Sequence, residues 1–370
     1  MAEQDSHPTA DRHTPPPPPG QAPPYVPAAQ NPPREKSGGG ILRRVFQSLA
    51  VLIILGSFVM NVYLLTLLAM QSGGATTFDA IESGSDEQIV ALYTIDGMIS
   101  AETARNFATF SREIAEDDAV QAVVLRVNTP GGGVGASDVI RNHIQKLQAQ
   151  GKKVVVSMGS LAASGGYYIS APADEILAEP TTMTGSIGVI MYHLVLQGTL
   201  EKLGVEPVVI KSTAAEAWKD ELSPARMPSE RERQHLRELL DQMQRRFENV
   251  VREGRGDRLR TEQLTWQMEV EENGELKTVE HTETAPLNGK VYMAREALDY
   301  GLVDSIGYQS DAIEHARKLV GAANPTVRHY RIRQGLLGEI LGGPAVEVPD
   351  LKKEIRSFGT PRFEMVWRVD

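Results

Sequence analysis

The sequence predicts an α/β protein, a mostly parallel sheet covered by helices and preceded by one transmembrane helix. Three observations carry that reading. A charge-free apolar run occupies Val45–Met70. From Gln88 onward, short continuous apolar runs of the buried-strand kind alternate with stretches whose apolar residues recur at helical spacing. Strand, crossover helix and strand in repetition specify parallel pairing, because parallel neighbours need a long crossover between them.

Residues 1–40 hold half of the 22 prolines, including TPPPPPG at Thr14–Gly20. With almost no aliphatic bulk they cannot bury enough surface to offset their ordering entropy, so a disordered tail is expected. The run at Val45–Met70 exceeds the roughly 20 residues of a spanning helix. It is also longer, and starts further into the chain, than a cleaved signal sequence. Lys36, Arg43 and Arg44 precede it, and Asp79, Glu82, Asp86 and Glu87 follow. That asymmetry places the tail in the cytoplasm and residues 80–370 on the exported side, periplasmic or extracellular. The expected organisation is a tail at 1–40, an anchor at 45–70, a linker at 71–87, a body at 88–325 and an extension at 326–370.

A formal net charge of −10 and a pI near 5.4 argue against a nucleic-acid partner, since a phosphate backbone calls for a basic face. There is no cysteine, which excludes disulfides, thiolate nucleophiles and cysteine-ligated metals.

Within the body, IVALYTIDGMIS from Ile89 reads as a strand and turn, and AVQAVVLRVNTP, Ala119–Pro130, as a buried strand. PGGGVGAS follows, with Ser137 placed to cap a helix that buries Ile140, Ile144 and Leu147. KKVVVSM is the next buried strand, then comes the turn at Ser164, then EILAEP as a short strand. SERERQHLRELLDQMQRRFENVVREGRG is an amphipathic helix in which Ser229 and Glu232 form a capping box. Its buried stripe is Leu236, Leu240, Met243, Phe247 and Val250. TWQMEVEENGELKTVEH reads as a hairpin about Asn273-Gly274. AREALDYGLVDSIG supplies a helix and turn, DAIEHARKLVG a further helix, and the last forty residues carry no clear pattern.

Chemistry concentrates in a few segments, most of them rich in small residues. In SMGSLAASGGYYISAPAD, Ser164 falls between a buried strand and a short helix, among alanines and glycines that admit substrate and backbone closely. That is a nucleophile's position at a sheet's carboxyl edge. The elbow motif G-x-S-x-G is absent, however, and taken alone such a serine is more often a structural turn. A nucleophilic serine also requires a base. Of the histidines, at 7, 13, 143, 193, 235, 281, 315 and 329, only His193 in GVIMYHLVL stands as a candidate; His143 and His235 sit on helices among polar neighbours. The other choice is a lysine whose pKa desolvation lowers, and Lys219 in EAWKDELSP, beside Trp218, is that candidate. NTPGGGV, Asn128–Val134, can turn backbone N–H groups toward an oxyanion. It lacks the Walker lysine and the G-x-G-x-x-G spacing of a nucleotide loop. In TTMTGSIGVI, Ser186 sits in a small-residue turn from which a hydroxyl could orient a buried amine; taken alone it is merely a turn.

In their order along the chain, PGGGV, VSMGSLAASGGYYIS, APADEILAEPTTMTGSIGVI, LEKLGVEPVVIKS with its following KD, EGRG and AREALDYGLVDSIG strongly resemble the signal peptide peptidase (protease IV) family. These are membrane-anchored serine–lysine peptidases of the Clp protease/crotonase fold, a repeated β-β-α superhelix with helices packed on the sheets. The resemblance covers about Ile89 to Gly321. It implies that Ser164 is the nucleophile, Lys219 the general base, Ser186 the partner of that lysine, and Gly132, with Gly165 N–H, the oxyanion donor. It further implies hydrophobic signal peptides as substrates, a membrane location, no cofactor or metal, and a homo-oligomeric ring in which the lysine meets a neighbour's serine. The tyrosines after Ser164 then read as packing for the short helix. Two segments depart from the pattern: KSTAAEAWKD is longer than the usual link, and 264–281 looks inserted. Two rival readings stay open on the residues alone, a Clp-type Ser–His–Asp peptidase using His193 and a catalytically silent membrane scaffold of the same fold.

Overall fold

A computed structural model describes residues 39–71, 76–272, 275–332 and 362–366. Helix α1 (Gly39–Gln71) contains Arg43–Thr66, 24 residues of mean hydropathy 2.2. Among the described residues it is the one helix long and apolar enough to cross a membrane. Its large side chains from Val45 to Leu65 are exposed, a surface costly in water and favourable in lipid. Apart from Gly39 and Gly40, the expected tail lies outside the described residues.

In chain order the body runs through β1 (Thr76–Glu82), β2 (Ser85–Asp96), α2 (Ala101–Ala115), β3 (Val120–Thr129), β4 (Gly131–Gly133) and α3 (Val134–Ala149). Then come β5 (Lys153–Ala163), α4 (Gly165–Ser170), β6 (Glu175–Ala178), β7 (Met183–Gly185), β8 (Ile190–Tyr192), α5 (Gln197–Lys202) and α6 (Glu230–Arg255). It continues with β9 (Glu262–Glu272), β10 (Glu275–Ala285), β11 (Val291–Met293), α7 (Ala294–Asp299), β12 (Ser305–Ile306), α8 (Gln309–Val320), β13 (Pro325–Ile332) and β14 (Arg362–Val366).

Nine strands form the main sheet, in the order β1-β13-β2-β3-β5-β6-β12, with β7 on β5 and β11 on β7. Its central pairs are parallel; β1 on β13 and β11 on β7 are antiparallel. The apolar runs are continuous because both faces are covered. Along β2, Ile89, Ala91, Tyr93 and Ile95 pack on one face, and Val90 and Leu92 on the other. On the first face α2, α3, α4 and α6 contribute Phe107, Phe110, Ile144, Tyr168 and Phe247; on the second, α8 contributes Ala312, Ile313 and Ala316. Each large apolar side chain buried there is worth about 1.5–3 kcal/mol.

β2, β3, β5 and β6 fall where the apolar runs place them. Helix α6 carries its expected capping box, Ser229 Oγ accepting from Glu232 N and the Glu232 carboxylate accepting from Ser229 N. Of its stripe, Leu236, Phe247 and Val250 are buried, and Leu240 and Met243 half-buried. The hairpin pairs as expected, Glu272 opposite Glu275, in a two-stranded sheet of its own. Its turn at 273–274 lies outside the described residues.

Ser137 requires a correction. Helix α3 begins at Val134 with Gly133 at its N-cap, because the glycine strand runs directly into the helix, so Ser137 is a buried first-turn residue and not the cap. Helix α2 escapes the periodicity reading, although Ser100 and Thr103 form its capping box and Phe107, Phe110 and Ile114 are buried on it. The sheet also runs past both expected bounds of the body: β13 lies between β1 and β2, with Val327 and Tyr330 buried.

Candidate active site

Strand β5 ends at Ala163 and the chain turns at Ser164 into α4. Ser164 has φ 51° and ψ −113° and is 1% exposed. A Cβ makes that conformation costly, and hydrogen bonds hold it from both sides. Ser164 N–H donates to Gly185 O at 2.8 Å, its carbonyl accepts from Tyr168 N at 2.8 Å, and its Oγ donates to Gly188 O at 3.4 Å. The glycines beside it leave room for this turn; a methyl group on Gly166 would sit 2.6 Å from Thr129 Cγ2.

The two tyrosines clamp α4. Tyr167 Oη donates to Leu302 O at 2.9 Å, and Tyr168 Oη to Asp138 Oδ1 at 2.6 Å. Burial pushes both phenols above their ordinary range. Burial also pushes Asp138 up, but hydrogen bonds from Tyr168 and Arg246 outweigh it and leave the carboxyl below its usual value.

Ser186 is positioned by the neighbouring strand. Strand β7 pairs in parallel with the end of β5, Leu161 beside Met183 and Ala163 beside Gly185. Ser164 and Ser186 are the residues that follow this last pair, and the Ser164 N–H bond to Gly185 O joins the two segments. Ser186 has φ 50°, is 7% exposed, and donates its N–H to Lys290 O at 2.8 Å.

The glycine segment arrives from β3. Gly131 N donates to Thr129 Oγ1 at 3.0 Å, Ile99 N to Gly131 O at 2.8 Å, and Gly133 N to Ile99 O at 2.9 Å. Both bonds to Ile99 use one edge of β4, so strand alternation turns Gly132 N–H to the opposite edge. Gly165 is on that side. A methyl group on Gly165 would sit 3.1 Å from Gly132 N, and one on Gly131 2.7 Å from Gly165 N. The backbone nitrogens of Gly132 and Gly165 therefore lie close together, with no room for a side chain between these glycines.

Lys219 is not joined to this group. It lies in an exposed turn after the 3₁₀ segment Thr213–Ala215, its N–H donating to Ala215 O at 3.1 Å. Among the described residues its ammonium makes no hydrogen bond or ion pair. Its neighbours hold the turn. Asp220 accepts from Lys211 Nζ at 2.7 Å and from Arg226 Nε at 3.0 Å, and Arg226 reaches Glu232 Oε2 at 2.9 Å, at the start of α6. The Arg231 guanidinium lies 4.6 Å from the centre of the Trp218 ring. Hydrogen bonds from Arg226 and Lys211 hold Asp220 far below the usual carboxylate range, and Arg226 brings Glu232 down to about 2. Sequence reasoning misses this network because the four charges have no helical or strand period; only the capping box around Glu232 signals it.

The rival base, His193, follows β8 half-buried, its Nε2 unpartnered among the described residues, and no hydrogen bond joins it to Ser164. A cleft of about 790 Å³ opens beside Ser186 and Gly188 and is lined further by Asp241, Gln244, Glu248 and His281.

A buried, strained serine at the carboxyl end of a parallel strand, with backbone N–H groups gathered nearby, is the equipment of a serine hydrolase that transfers acyl groups. Comparison with known proteins agrees. The sequence profile of Peptidase family S49 matches residues 146–268. A signal peptide peptidase SppA of Enterococcus faecium is 34% identical over 289 residues, 75% of this chain and 77% of its own length. A protease of Methanocaldococcus jannaschii is 33% identical over 64% of this chain and 68% of its own. Protease 4 of Haemophilus influenzae is 35% identical over 63% of this chain, which spans 34% of that longer protein. An alanine mutant of a membrane-bound stomatin-specific protease superposes with a TM-score of 0.38 at 17% identity, over 65% of this chain and 97% of that one, a likeness too slight to carry an argument. The chain belongs to Peptidase family S49, a family of serine peptidases, and its body has the α/β architecture that the sequence predicts.

Proposed function

We propose that the protein is a membrane-anchored serine endopeptidase that cleaves hydrophobic peptides, residual signal peptides among them, with a Ser164–Lys219 dyad. The observation that carries this reading is Ser164 itself, buried and held at φ 51° at the end of β5. Ser164 Oγ attacks the peptide carbonyl carbon and gives its proton to the Lys219 amine. The Gly132 and Gly165 N–H groups take up the charge of the tetrahedral oxyanion. Lys219 passes the proton to the departing amine, and a water activated by the same amine hydrolyses the ester. Ser186 orients the amine by a hydrogen bond.

Lys219 serves the Ser164 of a neighbouring subunit in a homo-oligomeric ring. Its exposed turn supports this, as do Val208 and Ile210 shortly before it, 81% and 92% exposed, an apolar surface suited to a neighbour. The cleft beside Ser186 gives an amine from outside a route in. Helix α1 anchors the chain, with Arg43 and Arg44 on the cytoplasmic side and the body on the exported side.

The test is hydrolysis of a fluorogenic hydrophobic peptide by the assembled protein. Turnover by the wild type and its loss in both Ser164→Ala and Lys219→Ala are expected. Activity that survives Lys219→Ala overturns the dyad and moves the base to His193.

A further inference from the structure

The first turn of α3 carries no side-chain cap. Gly133, at the N-cap, has no side chain to offer, and the turn contains no acidic residue. Free N–H groups and the helix dipole favour a negative charge at such an end. The turn follows directly from β4, whose Gly132 is the oxyanion donor of the proposed mechanism.

Ser137 belongs to this turn, and its hydroxyl is an independent observation. The residue is 0% exposed, and among the described residues its Oγ has no hydrogen-bond partner. Buried hydroxyls are rarely left so, because losing water without a replacement bond is costly. Its neighbour Asp138 does not take it up: that carboxylate accepts from Tyr168 Oη at 2.6 Å and from Arg246 Nη2 at 2.8 Å. The free hydroxyl lies against the glycines instead. A methyl group on Gly165 would sit 2.7 Å from Ser137 Oγ and 3.1 Å from Gly132 N. The Met365 carbonyl oxygen of β14, a strand paired antiparallel with β4, is also 3.1 Å from that point, and Ser137 does not bond it.

We infer that Ser137 is a further catalytic residue, its hydroxyl donating to the tetrahedral oxyanion beside the Gly132 and Gly165 N–H groups. The inference rests on the reading of Ser164 as nucleophile and deepens it. As Ser164 Oγ bonds to the carbonyl carbon, the π pair moves onto the carbonyl oxygen. Ser137 keeps its proton and shares it with that oxygen, while the proton of Ser164 goes to the general base. A bond that strengthens as the charge develops lowers the barrier more than it tightens substrate binding. The unpaired hydroxyl of the resting protein thus finds its partner in the transition state.

Calorimetry on the full chain tests this with two probes, an acetylated leucine tripeptide ending in an aldehyde and the same peptide ending in the alcohol. The aldehyde adds to Ser164 as a hemiacetal and draws on the oxyanion donors; the alcohol, without a carbonyl, cannot. The wild type is expected to prefer the aldehyde, and Ser164→Ala to lose that preference. Ser137→Ala is expected to bind the alcohol as the wild type does and to lose at least about tenfold of the preference. Its kcat should fall roughly 100-fold with KM little changed. Its melting temperature should not fall, because the hydroxyl removed has no bond to lose. A full preference for the aldehyde in Ser137→Ala, with wild-type kcat, overturns the inference and leaves Ser164 as nucleophile. A lower kcat accompanied by lost alcohol affinity and a lower melting temperature also overturns it, reducing Ser137 to packing between α3 and α4. No preference in the wild type overturns the reading of Ser164 itself.

Discussion

Ser164 and Ser186 leave the sheet from paired residues: the parallel register of β5 with β7 ends on Ala163 opposite Gly185, and each serine is the residue that follows its strand. They are also the two non-glycine residues of positive φ among the described residues, at 51° and 50°. The Ser164 N–H bond to Gly185 O, 2.8 Å long, couples the two turns. Backbone strain of this kind costs about 1–3 kcal/mol per residue and persists only where its surroundings over-determine it.

The strain at Ser164 has a measurable consequence. Ser164→Ala and Ser164→Gly are both expected to lose turnover by at least about a thousandfold. Glycine, free of the Cβ penalty, should leave the fold about 1 kcal/mol more stable than alanine. Comparing the two thermal midpoints reads this directly, and equal midpoints would argue that the turn is relaxed.

Ser186→Ala removes one hydrogen bond to the proposed lysine. A loss of roughly 10- to 100-fold in kcat with little change in KM is expected, together with a shift of the alkaline-rising limb of the pH–rate profile. Loss of stability without a moved pH profile would reduce Ser186 to a structural turn.

If Lys219 acts on a neighbour, two inactive chains repair one another. Ser164→Ala and Lys219→Ala proteins, co-assembled from denaturant, should recover activity that neither has alone. An inert mixture, confirmed to be co-assembled, places the base within the same chain. His193→Ala is expected to keep wild-type turnover in either case.

The network that holds the Lys219 turn makes a pH prediction. Glu232 sits at about 2 against an ordinary 4.5, so its contribution is present above about pH 4.5 and is lost as pH falls toward 2. Asp220, also depressed, acts in the same direction. The wild-type melting temperature should fall across that window. Arg226→Met leaves buried Glu232 with its Ser229 hydrogen bonds but without a cation, costing about 3 kcal/mol at pH 7, and should flatten the acid-side fall. An unchanged slope would show that the network carries no linkage.

Gly132→Ala tests the donor strand. Its methyl group would meet Ile99 O at 2.1 Å, against backbone that cannot move aside, so a loss of several kcal/mol in urea midpoints is expected, about 2–4. Gly135→Ala, in α3 with nothing within 4 Å of the added methyl, should be neutral or stabilising by about 0.5–1 kcal/mol. Equal effects at the two positions would dismiss the close approach at β4.

Much of this protein was decided locally and could be read from the chain alone. The apolar runs of β2, β3, β5 and β6 declare a sheet covered on both faces, the Ser229–Glu232 box starts α6, and the charge-free run of α1 declares a helix long and apolar enough to cross a membrane. Ser164, Ser186 and Gly132 stand in small-residue segments whose order along the chain marks the family. Each of these signals acts over a few residues, through propensity, capping or periodicity. Tertiary structure alone decided the rest. It joins the turns at Ser164 and Ser186, ties Lys211, Asp220 and Arg226 around an exposed Lys219, and lays β14 against β4 and β8. Those relationships are made by parallel register, by ion pairs without a period and by main-chain hydrogen bonds between distant segments. Every residue offers the same backbone donor and acceptor, so the sequence carries no local mark of which strand another will meet.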